Sequence, residues 1–168
     1  MPKFPHILGV IIASGLAMAT ANAAMLGPSV ETCLKDESAV LVSVTGFKKR
    51  AGRLRVQLYA NGPRYFEKDA FVERIDVAVP ALGTVDICVP VAKPGRYVVS
   101  VRHDVNANGR SDLRDGGGFS GNPDVSIADV VGKRKPSLAA ISFQVGDTTK
   151  RVDVVLNYVR GLSFGPLR

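Results

Sequence analysis

An all-β fold, an antiparallel β-sandwich of about seven strands in an immunoglobulin-like or transthyretin-like arrangement, is what this 168-residue chain predicts. Three observations lead there. From residue 39 onward apolar side chains recur at every second position; the runs are separated by turn-forming groups such as ANGP (60–63), AKPG (92–95) and VGD (145–147); and only one short stretch carries helix signals. Half-buried strands in a single small domain hide their apolar sides by stacking two sheets face to face.

The strands follow in order. AVLVSVTG (39–46) is apolar through its centre and suits a buried strand, whereas RLRVQLYA (53–60) sets Leu54, Val56 and Leu58 against Arg53, Arg55 and Gln57. RIDVAV (74–79) alternates Ile75, Val77 and Val79 with Arg74 and Asp76. In the 83–89 run, Val85, Ile87 and Val89 take the apolar phase and Thr84, Asp86 and Cys88 the other. RYVVSVRH (96–103) places Tyr97, Val99 and Val101 on one face, AAISFQV (139–145) does so with Ile141, Phe143 and Val145, and RVDVVLNYV (151–159) with Val152, Val154, Leu156 and Tyr158. The stretch NPDVSIADVVG (122–132) reads either as a short helix, with Asn122 as cap, Pro123 at the first position and Gly132 as stop, or as an irregular loop. GLSFGPLR (161–168) reads as a tail, frayed or laid against a sheet edge.

Ahead of the sandwich (39–160) stand a short segment (24–38) and a leader (1–23). Lys3, an apolar run from Ile7 to Ala19, and Ala21 and Ala23 in an A-x-A arrangement form the pattern of a secretory signal peptide, too short to span a bilayer comfortably. This predicts cleavage near Ala23 and a periplasmic or secreted product with no membrane span; an uncleaved anchor is the alternative. In an oxidising compartment the two cysteines, Cys33 and Cys88, predict a disulfide. Because Cys88 lies in the outward phase of its strand, such a bridge pins the N-terminal segment across the outside of a sheet. Two free thiols are the other possibility.

Twenty-two Lys and Arg against fifteen Asp and Glu give a formal charge of +7, and loss of Lys3 with the leader removes one unit of it. The densest groups, KKR (48–50) and KRK (133–135), sit beside glycines without aromatic interleaving, so no nucleic-acid motif emerges. They serve solubility or attract anionic envelope polymers.

One loop stands apart. Counting from Asp104, oxygen-bearing side chains fall at places one, three, five, nine and twelve, namely Asp104, Asn106, Asn108, Asp112 and Asp115, with Gly109 sixth and the carbonyl of Arg110 seventh. Calcium takes six to eight oxygens, and a chain delivers them by turning alternate side chains inward around a sharp glycine turn. The pattern departs from a helix-loop-helix hand at the last position, aspartate replacing glutamate, and in its strand and glycine-rich flanks. A calcium loop grafted between strands is one reading. A polar hairpin whose Asn and Asp bond their own backbone is the other.

The same residues carry a resemblance. KPGRYVVSVRHDVNANGRSD (93–112) resembles the signature of the bacterial family catalogued as domain of unknown function 2141, through Pro94, Gly95, Tyr97, His103, Asp104, Asn106, Asn108, Gly109 and Asp112, followed by Gly118, Phe119 and Ser120. GRLRVQLYANGPRYF (52–66) and KRVDVVLNY (150–158) extend it to roughly residues 40–158. Between the loop and Gly118 this chain has only LRDGG (113–117), where the family usually carries a longer Gly-Ile-Pro-Glu-like segment. The resemblance implies an exported, sandwich-like protein and no activity.

Catalytic patterns are sparse. GFSGN (118–122) offers Gly118 and Ser120, but Asn122 stands where a nucleophile elbow needs glycine. One histidine and two distant cysteines do not make a zinc site. His103 reads as a packed residue bonding nearby backbone, or as a group at the loop mouth. Two functions follow: a calcium-stabilised, non-catalytic envelope module that binds a protein or polymer, or a small metal-dependent hydrolase built on His103, Asp104 and Asp112.

Overall fold

In the computed structural model, which describes residues 24–167, the alternating runs become strands except at 139–145, where residues 138–141 are helical, Ile141 joins a separate small cluster and only 143–145 form a strand. In chain order the elements are β1 (Ala24–Leu26), α1 (Val30–Leu34), β2 (Ala39–Thr45), β3 (Arg53–Ala60), β4 (Glu73–Ala78), β5 (Val85–Pro90), β6 (Gly95–Asp104), β7 (Gly116–Phe119), α2 (Ile127–Val131), α3 (Leu138–Ile141), β8 (Phe143–Val145), β9 (Thr149–Val155), β10 (Asn157–Arg160) and β11 (Ser163–Pro166). The leader expected over residues 1–23 lies outside the described residues. Among the described residues no helix is long and apolar enough to cross a membrane.

Two sheets face each other, ordered β1-β5-β2-β9 and β11-β10-β7-β6-β3-β4, with β8 also paired to β6. Val40, Val42 and Val44 of β2, Val85, Ile87 and Val89 of β5, and Val152 and Val154 of β9 meet Leu54, Val56 and Leu58 of β3 and Val99 and Val101 of β6 in one continuous core. These are the inward phases that the alternation picks out. The all-β sandwich expectation therefore holds.

Three features depart from it in detail. The run 151–159 is two strands rather than one: after Val155 the chain crosses from the smaller sheet to the larger, with the Leu156 N–H donating to the Thr45 carbonyl at 3.0 Å as it passes. The smaller sheet is mixed and not purely antiparallel, because β1 runs parallel to β5 and β9 parallel to β2. A parallel neighbour needs a crossover. Here everything between Thr45 and Thr149, most of the second sheet included, returns the chain to the starting end of β2. Third, α2 is capped by Ser126 and not by Asn122: the Ser126 hydroxyl accepts the Asp129 N–H while the Asp129 carboxylate accepts the Ser126 N–H, a reciprocal capping box, and Gly132 closes the helix. Asn122 instead sits at φ 45° and clamps β9, its amide donating to the Asp153 carbonyl at 3.0 Å and accepting the Val155 N–H at 2.8 Å.

The tail lies against a sheet edge: β11 pairs antiparallel with β10. β7 was not expected, since GGGF has no alternating apolar pattern. Its glycines mark packing. A Cβ on Gly116 would overlap the Tyr158 ring, and one on Gly118 would lie 2.6 Å from a Val154 methyl. A second small cluster, Tyr59, Val98 and Ile141 with Phe66, Phe119 and Leu138 against it, covers one end of the larger sheet's outer face.

Cys33 on α1 and Cys88 on β5 form the expected disulfide, with Cα atoms 6.0 Å apart. The bridge holds α1 over the outward face of the small sheet, which is why Cys88 is fully buried. Because it closes a separation of 55 residues, loop-closure entropy puts its contribution at about 4 kcal/mol. Reduction, or the double replacement Cys33→Ser with Cys88→Ser, is expected to lower the unfolding free energy by that order, measured by urea unfolding with and without reductant. A stability unchanged by reduction would contradict the pinning role.

Candidate functional site

β6 carries the chain into the oxygen-rich loop and β7 carries it out, so the loop is held by a strand pair in which His103 faces Gly116 and Arg102 faces Gly117. The two ends of the loop are stapled by buried carboxylates. Asp104 accepts the N–H of Asn108 at 3.1 Å and of Gly109 at 2.8 Å. Asp115 accepts the N–H of Val105 at 3.2 Å and of Asp112 at 3.2 Å. Both are almost wholly shielded from solvent, 3% and 7% exposed, so their charge is met by backbone dipoles rather than water.

The middle of the loop is exposed and converges on Asp112. Its Oδ2 accepts the side-chain amides of Asn106 at 3.0 Å and Asn108 at 3.2 Å, and its Oδ1 accepts the Arg114 N–H at 2.8 Å. The Arg114 N–H foremost holds the Asp112 carboxyl below its ordinary value, against desolvation, and the two amides and the Arg114 charge add to the lowering. Gly109 turns at φ 76° with open space around it, the left-handed bend the pattern called for. Arg110 is exposed, and its N–H donates to the Asn108 side chain at 2.8 Å. The structure thus brings Asn106, Asn108 and Asp112 together and turns Asp104 and Asp115 to the backbone at either side.

As a metal loop, the donor chemistry fits a hard cation. Every side chain at the five pattern positions ends in oxygen, and rotation of the two amides would turn their oxygens toward the point where their nitrogens now meet Asp112. Among the described residues no three His, Cys, Asp or Glu side chains stand together as a group that could hold a metal ion.

His103 is fully buried and both its nitrogens are engaged. Nε2 lies 2.8 Å from the Ala51 carbonyl, which only accepts, so Nε2 carries the proton; Nδ1 then accepts the Tyr158 hydroxyl at 2.6 Å. Tyr158 accepts in turn from the Lys48 N–H at 3.2 Å, and Phe47 packs edge-on to the imidazole at 5.4 Å. Burial pushes the His103 pKa down, opposed by its bond to Ala51 and by the carboxylates of Asp115 and Asp104. This is the packed histidine, with no nitrogen left for a metal or a substrate. Ser120 is likewise structural: its buried hydroxyl accepts the Val99 N–H at 3.0 Å and donates to the Ile141 carbonyl.

Sequence reasoning missed the groove next to the loop. On the outer face of the larger sheet a cavity of about 630 Å³ is bounded by Asp112 and Asp115 on the loop side, by Phe66 and Phe119 of the aromatic cluster, and by Lys133 and Arg134 of the KRK segment. No motif joins these positions, because the groove is assembled from six separate segments of chain. The only available signal was the second glycine of GGGF, Gly117, which neither the core nor the turn explains.

A family model described as an uncharacterized protein conserved in bacteria (DUF2141) matches residues 42–153. No curated protein and no solved structure matches the chain.

His103 is the sole histidine among the described residues, which makes its titration readable. Its folded-state pKa lies below the ordinary 6.5, so as pH falls the unfolded chain takes the proton first. The associated stability is complete above 6.5 and is lost progressively as pH drops toward the lower folded value. The melting temperature is expected to fall as the pH drops below about 6.5, and His103→Gln is expected to flatten that slope in the same scans. A slope identical in the variant would place the proton uptake elsewhere.

Proposed function

The chain belongs to this family of uncharacterized bacterial proteins, and from that premise we propose an exported, non-catalytic β-sandwich module of the cell envelope whose 104–115 loop is stiffened by calcium. Export is supported by the leader pattern of residues 1–23 and by the Cys33–Cys88 bridge, since disulfides persist in oxidising compartments such as the periplasm and the exterior. The partner is another envelope protein or polymer, met by loops that the rigid sheets hold in place.

The observation that carries the calcium reading is the meeting of the Asn106 and Asn108 amides at Asp112, between the two carboxylates of Asp104 and Asp115. Asp104, Asn106, Asn108, Asp112, Asp115 and the Arg110 carbonyl would hold the ion. Bound there, calcium supplies charge neutralisation and cross-links the loop. It acts by mass action on stability, not as a reagent. With His103 committed to Ala51 and Tyr158, the hydrolase built on His103, Asp104 and Asp112 lacks its base.

The test is a thermal melt of the oxidised protein in EDTA and in roughly 10 mM calcium. For a dissociation constant of ~0.1–1 mM, typical of extracellular modules, the expected gain is ~1.4–2.7 kcal/mol, several degrees in Tm. Asp104→Asn and Asp112→Asn are each expected to abolish it. Superimposable melts in both conditions would sink the calcium reading.

A further inference from the structure

The outer face of the larger sheet carries an arrangement that stability alone does not favour. Arg55 of β3 and Arg102 of β6 are direct cross-strand partners, flanked by Asp76 on one side and Gly117 on the other, so one row across four strands reads Asp76, Arg55, Arg102, Gly117. Like charges placed directly opposite each other destabilise a sheet. Arg55 is compensated, its Nε 2.8 Å from the Asp76 carboxylate. Arg102 is not equally served: Asp104 stands 3.7 Å away, its other contacts are the neutral Ser111 hydroxyl at 2.9 Å and the Gly109 carbonyl at 3.3 Å, and its Nε is buried with no acceptor.

Beside Arg102 the row ends in a side chain that is missing without structural need. Gly116 and Gly118 are glycines because Tyr158 and Val154 occupy the space a Cβ would take. Gly117 has neither that reason nor a left-handed φ: a Cβ there would meet only the Val101 carbonyl, at an ordinary 3.8 Å. Glycine inside a strand costs stability and marks places where something approaches the backbone closely. What lies over Gly117 is the cavity of about 630 Å³, with Arg102 at its floor, Phe66 and Phe119 on its apolar wall, and Lys133 at its rim. Phe66 and Phe119 stack with ring centres 5.1 Å apart and remain partly exposed. Among the described residues Lys133 makes no ion pair, whereas Arg134 is tied to Asp129 at 2.7 Å.

We propose that this groove is a binding site for a small anionic amphiphile, its acid group on Arg102 and Lys133 and its apolar body lying over Gly117 against Phe66 and Phe119. A ring or short alkyl chain fits a cavity of this size, and a carboxylate or phosphate against the exposed part of the guanidinium adds the charge partner that Asp104, 3.7 Å away, supplies only loosely. Arg102, Lys133, Gly117, Phe66 and Phe119 are not calcium ligands, although Asp112 and Asp115 border the groove, so binding is tested in EDTA, where its outcome does not depend on the calcium reading.

The probe is the anionic dye 1-anilinonaphthalene-8-sulfonate, titrated by fluorescence into the oxidised protein in EDTA. Saturable one-site binding is expected, weakened about tenfold or more by Gly117→Leu and severalfold by Lys133→Glu. Lys150→Glu, on the other sheet, changes net charge equally and is expected to bind as the parent does. Thermal melts of each variant separate a filled groove from a damaged fold. Displacement by octanoate or by octyl phosphate, and not by neutral octyl glucoside, identifies the acid group as the determinant and says which acid is preferred. Undiminished binding to Gly117→Leu, a Lys150→Glu effect as large as that of Lys133→Glu, equal displacement by octyl glucoside, or no saturable binding would each overturn the proposal.

Discussion

The ring of Tyr158 is the piece around which the functional end of the sandwich is organised. It is fully buried, and its position forces residue 116 to lack a side chain. Its hydroxyl then has to be satisfied away from water, which it is by His103 Nδ1 and the Lys48 N–H. His103 in turn hands its remaining proton to Ala51. One aromatic side chain on β10 therefore ties together the 47–51 turn, the end of β6 and the start of β7. The oxygen-rich loop hangs between the last two. Its carboxylates face a rigid frame and not a mobile hairpin, since both strands that deliver it are pinned to the same phenol.

Much of this was legible in the residues. Period-two alternation identified the core faces of β3 to β6, most plainly in β3, where buried and more exposed residues alternate, whereas β2 and β5 are covered on both sides; Cys88 in the outward phase of β5 already implied a bridge over the sheet's exterior. The loop's ligand-like spacing was plain, and so was the alternative that its side chains bond backbone; the structure displays the second arrangement while leaving the first chemically available. What stayed illegible depends on distant contacts. GGGF has no hydrophobic pattern, and only the Tyr158 and Val154 side chains, some forty residues later in the chain, explain why it is a strand. The switch of sheets at Leu156 is invisible too, since a strand that changes sheets keeps its alternation.

Charge on the two faces follows different rules. Asp104 and Asp115 are buried and satisfied by backbone N–H groups, a local solution that any tight loop can provide. The arginines of the outer face rely on side chains from neighbouring strands, and the supply of acids runs out at Arg102. The +7 of the whole chain is thus less informative than the place where positive charge is left without a partner.

The parallel pairing of β2 with β9 also governs the order in which the molecule is completed. Chain appearing from its N-terminus has β2 and β5 early and can join Cys33 to Cys88 once residue 88 is present, but the far edge of β2 waits until residues 149–155 arrive. Through that interval Val40, Val42 and Val44 belong to a strand with an open side, the kind of edge on which other chains pair. The segment from residue 149 onward is therefore its own chaperone: closure of the small sheet is a late long-range event, followed only by the pairing of β10 with β7, and a chain cut short before β9 would leave that edge uncovered.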